Sequence, residues 1–383
     1  MEQTVNSERI YFSSPFVGKG EEEALIKVIR SGWVAPVGPD LGRFESALSS
    51  QFQFPNVLAL NSGTAALHLA LILAGVKAND RVLVGTFTFV AAANTVKYVG
   101  ATPIFIDSEE HTWNLDPALI ESYLKAHQKS DRMPRAVIVT HIFGRAAQIS
   151  AIAHICKRFD VKLIEDGAEA LGTEYDGKCV GAFGDFGVLS FNGNKIITTG
   201  GGGALICQKT EDHEKGLFLA TQSKSKADHY LHHELGFNYR MSNLLAALGL
   251  AQLGHFNEII KRKQFIYSFY KRALAKHDSF IISENQTTNN WIFPLLIKSD
   301  SITENFNSST LIAFFEQRDI EVRRFWRPMH MQPLYEQYEF IGSDVSERLF
   351  ERGICLPGGA GLSESQLQRV VDTLLEYLQQ FKK

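Results

Sequence analysis

The 383-residue sequence predicts an α/β fold, with a mostly parallel sheet in a large domain and a smaller α/β domain at the C-terminal end. Three observations lead there. Short apolar runs of strand length recur through the first half of the chain. Stretches of helical pattern lie between most of them, which is the order of βαβ units and of a sheet covered on both faces. Beyond residue 241 a long helical stretch interrupts the alternation, and a looser mixture of strands and helices follows.

Taken in order, the strand-like runs are Val57–Leu60, Val82–Val84, Pro103–Ile106, Ala136–Ile142, Val161–Ile164, Phe186–Phe191 and Ala204–Cys207. Each is apolar and short enough for a buried strand. Helices are expected over Ala65–Ala74, Asn94–Val99, Ala118–Ala126 and Gln148–Phe159. Met241 to about Ala275 reads as one long helical stretch leading away from the sheet. The remainder gives a strand over Asn290–Ile297, a helix over Ser309–Arg318, a strand over Glu321–Phe325 and a helix over Asp344–Arg352. A last helix opens at Ser363-Glu-Ser-Gln366, a capping box in which side chains satisfy the first free N–H groups. No low-complexity linker and no internal repeat is present. The boundary is placed near residue 255, giving residues 1–255 (an N-terminal arm and the large domain) and residues 256–383.

Composition narrows the function. Apolar residues make up 45% and charged residues 21%, ordinary for a globular protein. A net charge of −3 offers no electrostatic case for nucleic acid or an anionic membrane. No run approaches the ~18 apolar residues of a spanning helix. Met1 to Arg9 is polar and mixed in charge, unlike a secretory signal. Cys156, Cys179, Cys207 and Cys355 are scattered, without metal-ligand or redox spacing. These features predict a cytoplasmic enzyme.

Three segments carry the chemistry. Ser190-Phe-Asn-Gly-Asn-Lys195-Ile-Ile-Thr-Thr precedes four glycines, so a lysine stands at the end of a buried strand beside a backbone that can pass close to a bulky ligand. Desolvation there lets a lysine lose its proton and form a Schiff base with a carbonyl. Asn61-Ser-Gly-Thr-Ala-Ala-Leu67 joins a strand to a helix through small residues. The N–H groups of Gly63, Thr64 and Ala65 are candidates for a phosphate site, and an ordinary N-cap by Ser62 or Thr64 is the rival reading. Val161-Lys-Leu-Ile-Glu-Asp166-Gly-Ala-Glu169-Ala ends a buried run in carboxylates. Asp166 there either caps the next helix or pairs with a cationic ring nitrogen, since a buried charge needs a partner. Phosphate cradle, strand-end Asp166, then Lys195 is the order expected of a pyridoxal phosphate site.

On these residues the chain resembles the DegT/DnrJ/EryC1/StrS family of pyridoxal phosphate-dependent nucleotide-sugar aminotransferases. Matching segments run from about Tyr11 to Phe381: Gly32-Trp33-Val-Ala-Pro-Val-Gly-Pro39, Thr86-Phe-Thr-Phe89-Val-Ala-Ala-Ala-Asn94, His141-Ile-Phe-Gly144, Gly236-Phe-Asn238-Tyr-Arg-Met-Ser-Asn243, Trp326-Arg327-Pro-Met-His330 and Ile354-Cys-Leu-Pro-Gly-Gly359. The resemblance implies the fold type I architecture of aspartate aminotransferase. It implies pyridoxal 5′-phosphate in a Schiff base on Lys195, with Lys195 then moving the proton between cofactor and substrate carbon. Asp166 would keep the ring nitrogen protonated. Ser190, Gly63, Thr64 and Ala65 would bind the phosphate, and Phe89 would stack on the ring, although an aromatic here is otherwise core. Glu169 stands where many relatives have Gln or His near the phenolic oxygen, a place where an ionised acid would repel it.

The resemblance further implies a homodimer in which Asn238 reaches the neighbour's phosphate, supported by Arg240 and Asn243, and substrate contacts from Trp33, Arg327 and His330. His229, His232 and His233 read as a solvated loop, with no metal. L-glutamate is the implied donor, in ping-pong exchange. Among acceptors, the segments around Trp33, Asn192 and Trp326 resemble C4 aminotransferases of UDP-2-acetamido-4-keto-6-deoxyhexoses, on the route to bacillosamine-type glycans. GDP-4-keto-6-deoxymannose, a legionaminic-acid branch and dTDP-3- or 4-ketosugars remain open. Lys195 argues against the dehydratases of the family, which carry histidine there, and the intact motif against a sensory role.

Overall fold

The computed structural model describes residues 9–282, 288–304 and 306–380. The first eight residues of the expected N-terminal arm, and Phe381 at the end of the resemblance, lie outside the described residues. In chain order the first elements are helices α1 (Lys19–Ser31) and α2 (Pro39–Phe52), then β1 (Asn56–Leu60), α3 (Gly63–Leu73), β2 (Arg81–Gly85), α4 (Val90–Tyr98), β3 (Thr102–Ile106) and α5 (Pro117–His127). They are followed by β4 (Ala136–Thr140), α6 (Ile149–Arg158), β5 (Lys162–Asp166), a short hairpin of β6 (Glu174–Tyr175) and β7 (Lys178–Cys179), β8 (Phe186–Ser190), β9 (Gly203–Cys207) and α7 (Thr210–Ala220). Next come α8 (Asn243–Gly254), α9 (Phe256–Leu274), β10 (Phe280–Ile282), β11 (Phe293–Ile297), α10 (Ser308–Glu316) and β12 (Arg323–Arg324). The last are β13 (Phe340–Ile341), α11 (Val345–Arg352), β14 (Gly353–Leu356) and α12 (Glu364–Gln379).

The main sheet has the order β1-β9-β8-β5-β4-β2-β3-β13. Only β9 runs against its neighbours, so the sheet is mainly parallel, as the alternation predicts. Both faces are covered. Ile138 and Ile164 pack with Leu67, Leu71 and Val96 of α3 and α4, whereas Val137, Val139 and Leu163 pack with Ile120, Ile152 and Cys156 of α5 and α6. Each such Ile, Leu or Val, once fully buried, contributes about 1.5–3 kcal/mol. A second sheet, β10-β11-β14-β12, is antiparallel and rests on α9, α10 and α12 through Tyr270, Phe315 and Leu374. Among the described residues no helix is long and apolar enough to cross a membrane.

Four details depart from the sequence expectation. The stretch from Met241 to Ala275 is two helices, broken at His255. The apolar pattern runs through the break, but α8 packs with α1 and α2, where a Cβ on Gly249 would come within 2.6 Å of Phe44. In contrast α9 buries Ile266, Tyr270 and Leu274 in the core of the second sheet. The run Ala136–Ile142 ends as a strand at Thr140, because a tight turn over Ile142–Gly144 puts Phe143 in the left-handed region (φ 57°). Strand β14 lies in the segment Ile354-Cys-Leu-Pro, where sequence alone showed no strand. There Gly353 is required, since a Cβ would fall 2.0 Å from the Phe325 ring. Finally, β13 returns from the C-terminal part of the chain to pair with β3. A two-residue strand is too short to leave a pattern.

One buried carboxylate ties the carboxyl ends of the central strands together. Glu165 of β5 is fully buried and accepts hydrogen bonds from His141 Nε2 (3.0 Å) and from the amides of Gly181 (2.8 Å), Phe183 (2.6 Å) and Gly184 (2.6 Å). The Ala147 amide donates to His141 Nδ1 (3.1 Å), so the Nε2 proton points at Glu165. Replacing Glu165 by alanine orphans all these donors and should lower the unfolding free energy by on the order of 3 kcal/mol or more. The loss is read as a fall in the denaturant midpoint; an unchanged midpoint would show that the knot contributes nothing.

Candidate active site

Where β4, β5 and β8 end, the chain encloses a cavity of about 760 Å³. It opens at the carboxyl edge of the parallel strands, the usual place for a ligand in such sheets. Its wall includes Gly63, Thr64, Phe89, Asp166, Glu169, Ser190 and Lys195, which lie on four separate stretches of sequence.

Lys195 stands on the loop between β8 and β9. Its Nζ is 3.4 Å from Glu169 Oε1 and 4.3 Å from the centre of the Trp291 ring. The loop is pinned from three sides. The Asn194 carbonyl accepts from Trp291 Nε1 (2.6 Å) and Ser13 Oγ (3.0 Å), and the Thr198 amide donates to Gln252 Oε1 of α8 (3.1 Å). Gly200, at φ 79°, makes a turn that a side chain would strain, and the chain then enters β9 at Gly203.

The two carboxyls of the wall are held differently. Asp166, at the end of β5, is buried, and its only hydrogen bond among the described residues comes from the Ala168 amide (3.1 Å). Burial raises its pKa, against the Ala168 N–H and the charges of Lys195 and His141. A second oxygen is thus left for a cationic partner. Glu169 Oε2 accepts from the Phe143 amide (2.7 Å), the turn residue noted above. Burial pushes Glu169 up to about 7, with Lys195 and the Phe143 N–H opposing and Asp166 assisting.

At the start of α3, Ser62 Oγ accepts from the Ala65 amide (3.0 Å), and the Ser62 carbonyl accepts from Ala66 (3.2 Å). Ala65 is therefore not free, contrary to the sequence expectation: the ordinary N-cap and an anion site coexist. The amides of Gly63 and Thr64 and the Ser190 hydroxyl have no hydrogen-bond partner among the described residues. Gly63 allows β8 to come this close, because a Cβ would lie 3.1 Å from Ser190 Cβ and 3.3 Å from the Leu189 carbonyl. Gly203 is equally constrained, a Cβ there falling 2.4 Å from the Gly63 nitrogen. Phe89 is the N-cap residue of α4. It is half exposed towards the cavity, its ring 5.6 Å from that of Trp326.

Other expected residues do not line this cavity. His330 is held between Thr86 Oγ1 (2.7 Å) and Glu347 Oε1 (3.1 Å) and stacks on Phe340 at 3.8 Å. Those contacts make it a brace that ties the end of β2 to β13 and α11. Arg327 and Trp33 are exposed elsewhere. Asn238 is exposed, and its carbonyl accepts from Asn61 Nδ2 (3.0 Å), beside the start of α3. Arg240 pairs with Glu45 and the Ala59 carbonyl. Asn243 caps α2 from outside, accepting from the amides of Asp40 (2.7 Å) and Leu41 (3.2 Å). His229 meets Asp228, and His232 meets the Gln222 carbonyl. The sequence reading missed Phe12, Phe143, Trp291, Arg323 and Trp326 on the wall. Phe143 and Trp326 carried a signal, since each lies in a matched segment.

The arrangement offers an anion cradle, a buried carboxylate awaiting a cation, and an amine between them. The sequence pattern of the DegT/DnrJ/EryC1/StrS aminotransferase family spans residues 16–375. The chain belongs to this family. It is 40% identical over 375 residues to a Bacillus subtilis protein assigned as the pyridoxal phosphate-dependent aminotransferase EpsN, covering 96% of this chain and 95% of the other. It is 34% identical to the GDP-perosamine synthase of Vibrio cholerae, covering 95% and 97%. The crystal structure of a family aminotransferase from Brucella abortus superposes with a TM-score of 0.86 at 27% identity, covering 94% and 95%. The protein is thus a pyridoxal phosphate-dependent nucleotide-sugar aminotransferase of fold type I. The cofactor fits the residues present: it carries a phosphate, a ring nitrogen that binds a proton, and an aldehyde.

Glu169 gives a pH signature in the cofactor-free chain. A carboxyl raised from 4.5 to about 7 contributes stability that is complete below 4.5 and is lost as pH rises through 7. Compared with Glu169→Gln, the wild type should therefore lose unfolding free energy across that window. Parallel stability profiles for the two proteins would refute the burial argument.

Proposed function

We propose that this enzyme moves the amino group of L-glutamate to C4 of a UDP-2-acetamido-4-keto-6-deoxyhexose, for bacterial glycan biosynthesis. The observation that carries the chemistry is the convergence of Lys195, Asp166, Ser190 and the free amides of Gly63 and Thr64 on one cavity. The acceptor rests on the sequence segments around Trp33, Asn192 and Trp326. A relative named UDP-4-amino-4,6-dideoxy-N-acetyl-beta-L-altrosamine transaminase from Campylobacter jejuni, 27% identical over 380 residues, supports a UDP-linked sugar. The likeness to GDP-perosamine synthases favours a second reading, a GDP-linked 4-ketosugar.

When bound, pyridoxal phosphate supplies the carbonyl that takes up the amino group and the ring that holds the electron pair released at the substrate carbon. The chain does the rest. Gly63 and Thr64 amides and the Ser190 hydroxyl hold the phosphate at the start of α3, where the helix dipole favours an anion. Asp166 accepts the ring N–H and so keeps its positive charge in place. Lys195 would hold the cofactor's carbonyl carbon between turnovers; with its amine released, it would move a proton from the donor carbon to that cofactor carbon and, in the second half, from the cofactor carbon to the sugar carbon. Phe89 covers the ring face and excludes water.

In this reading residues 1–255 and 256–383 work as two domains, and the cavity has walls from both. Asn238 and Trp33, exposed and away from the wall of their own chain, serve the site of a second copy in a homodimer. All four cysteines are reduced, in keeping with a cytoplasmic enzyme.

The test separates donor from acceptor. Glutamate should bleach the near-visible absorbance of the loaded enzyme, and UDP-4-keto-6-deoxy-GlcNAc should restore it with a UDP-4-amino sugar in the mass spectrum. Restoration by GDP-4-keto-6-deoxymannose alone would transfer the assignment to the second reading. Lys195→Ala should lose at least about 10⁴-fold in turnover yet retain some cofactor affinity; full activity would overturn its role. Mixed dimers of Asn238→Ala and Lys195→Ala chains should regain one working site in each heterodimer. Heterodimers that form but stay inactive would exclude a shared site.

A further inference from the structure

We infer that Arg323 is the residue that grips the carboxylate of the amino-acid donor. The inference rests on the reading above that the donor is an α-amino acid, and it begins with the alternation of β12. Val322 and Arg324 turn towards the second sheet's own core: Val322 is buried there, and Arg324 donates to the Phe350 carbonyl (3.1 Å), the Glu351 carbonyl (3.3 Å) and Ser309 Oγ (3.1 Å). Arg324 also borders the cavity, but each nitrogen of its guanidinium already donates to the fold. Glu321, Arg323 and Phe325 take the opposite face, and Phe325 packs 4.7 Å from Phe143 of the cavity wall.

Arg323 lines the cavity with its side chain 64% exposed. Glu321 braces one edge of its guanidinium through Oε1, and Glu321 is itself fixed by the Phe12 amide, which donates to Oε2 (3.0 Å). Arg323 makes no other hydrogen bond among the described residues. Its remaining donors therefore face open space in a fixed orientation, the arrangement suited to bidentate capture of a carboxylate.

Position relative to the reacting amine favours the donor. Arg323 is paired across the ladder with Cys355, so the two side chains share a face and start about 5 Å apart. Cys355 is buried close enough to Glu169 for that carboxyl's charge to help raise its thiol, and Glu169 lies 3.4 Å from Lys195 Nζ. An α-amino acid bears its carboxylate on the carbon that reacts. A sugar nucleotide bears its diphosphate at C1, across the ring from the C4 ketone. Of the two anions, only the first is carried on the reacting carbon itself. Asp166 and Glu169 would otherwise leave an incoming carboxylate facing like charge.

The experiment uses the cofactor-loaded enzyme and its R323Q and R323K variants, with retained near-visible absorbance showing an intact site. Bleaching is followed against glutamate concentration, and UDP binding is measured separately by calorimetry. The half-saturating glutamate should rise about 10- to 100-fold in R323Q, with little change in the limiting rate and none in UDP affinity. R323K, which keeps the charge without the fork, should fall between. An unchanged glutamate dependence overturns the inference, as does weakened UDP binding with a normal glutamate response, which would assign Arg323 to the diphosphate. Failure of the wild type to respond to glutamate, glutamine, aspartate or alanine would instead remove the donor reading, and this inference with it.

Discussion

The site depends on a carboxylate that never faces it. Glu165 gathers His141 and three loop amides at the carboxyl end of β5, away from solvent. Because neighbouring strand residues point to opposite faces, fixing Glu165 on one side fixes Asp166 on the other. Burying an anion this deeply is tolerable only when each lone pair has a donor, and here the donors are mostly main-chain groups that cannot move away. The rigid end of β5 is what lets Asp166 stay poorly satisfied next door. Its strain is a property of the cavity, not of the fold.

Lys195 is immobilised in a different way. Its loop has little regular structure, yet the Asn194 carbonyl and the Thr198 amide are both tied to distant parts of the chain. Ser13, Trp291 and Gln252 supply those ties, from the N-terminal segment, the second sheet and α8. A long flexible side chain is thus presented from a backbone that the whole molecule holds. With the backbone held in this way, only the Lys195 side chain is left free to move within the cavity.

The cavity wall carries charge of both signs. The wall combines the free amides of Gly63 and Thr64, the acidic pair Asp166 and Glu169, and the cations Lys195 and Arg323. Glu169 is the member that titrates near neutrality, at about 7. Burial raises it, the charge of Lys195 opposes that rise and the charge of Asp166 assists it.

Most of the fold was legible in the sequence because buried parallel strands are apolar throughout and their helices follow at regular intervals. Val57–Leu60, Val82–Val84 and Pro103–Ile106 all lie in strands of the main sheet. Lys195, Asp166, Gly63 and Ser190 were legible too, since each sits in a local motif at a strand end. The break at His255 was not, because it reflects which core each helix joins. Nor were the capped Ala65 amide and the brace made by His330, whose partners lie far away in sequence. Trp291 and Arg323 complete the cavity for the same reason: a wall residue is defined by what it faces. Local sequence pattern determined the strands and the family, and it singled out Lys195 as a residue of the cavity wall. Long-range packing alone decided which side chains share the cavity, because proximity across the sheet edge leaves no periodic trace in the chain.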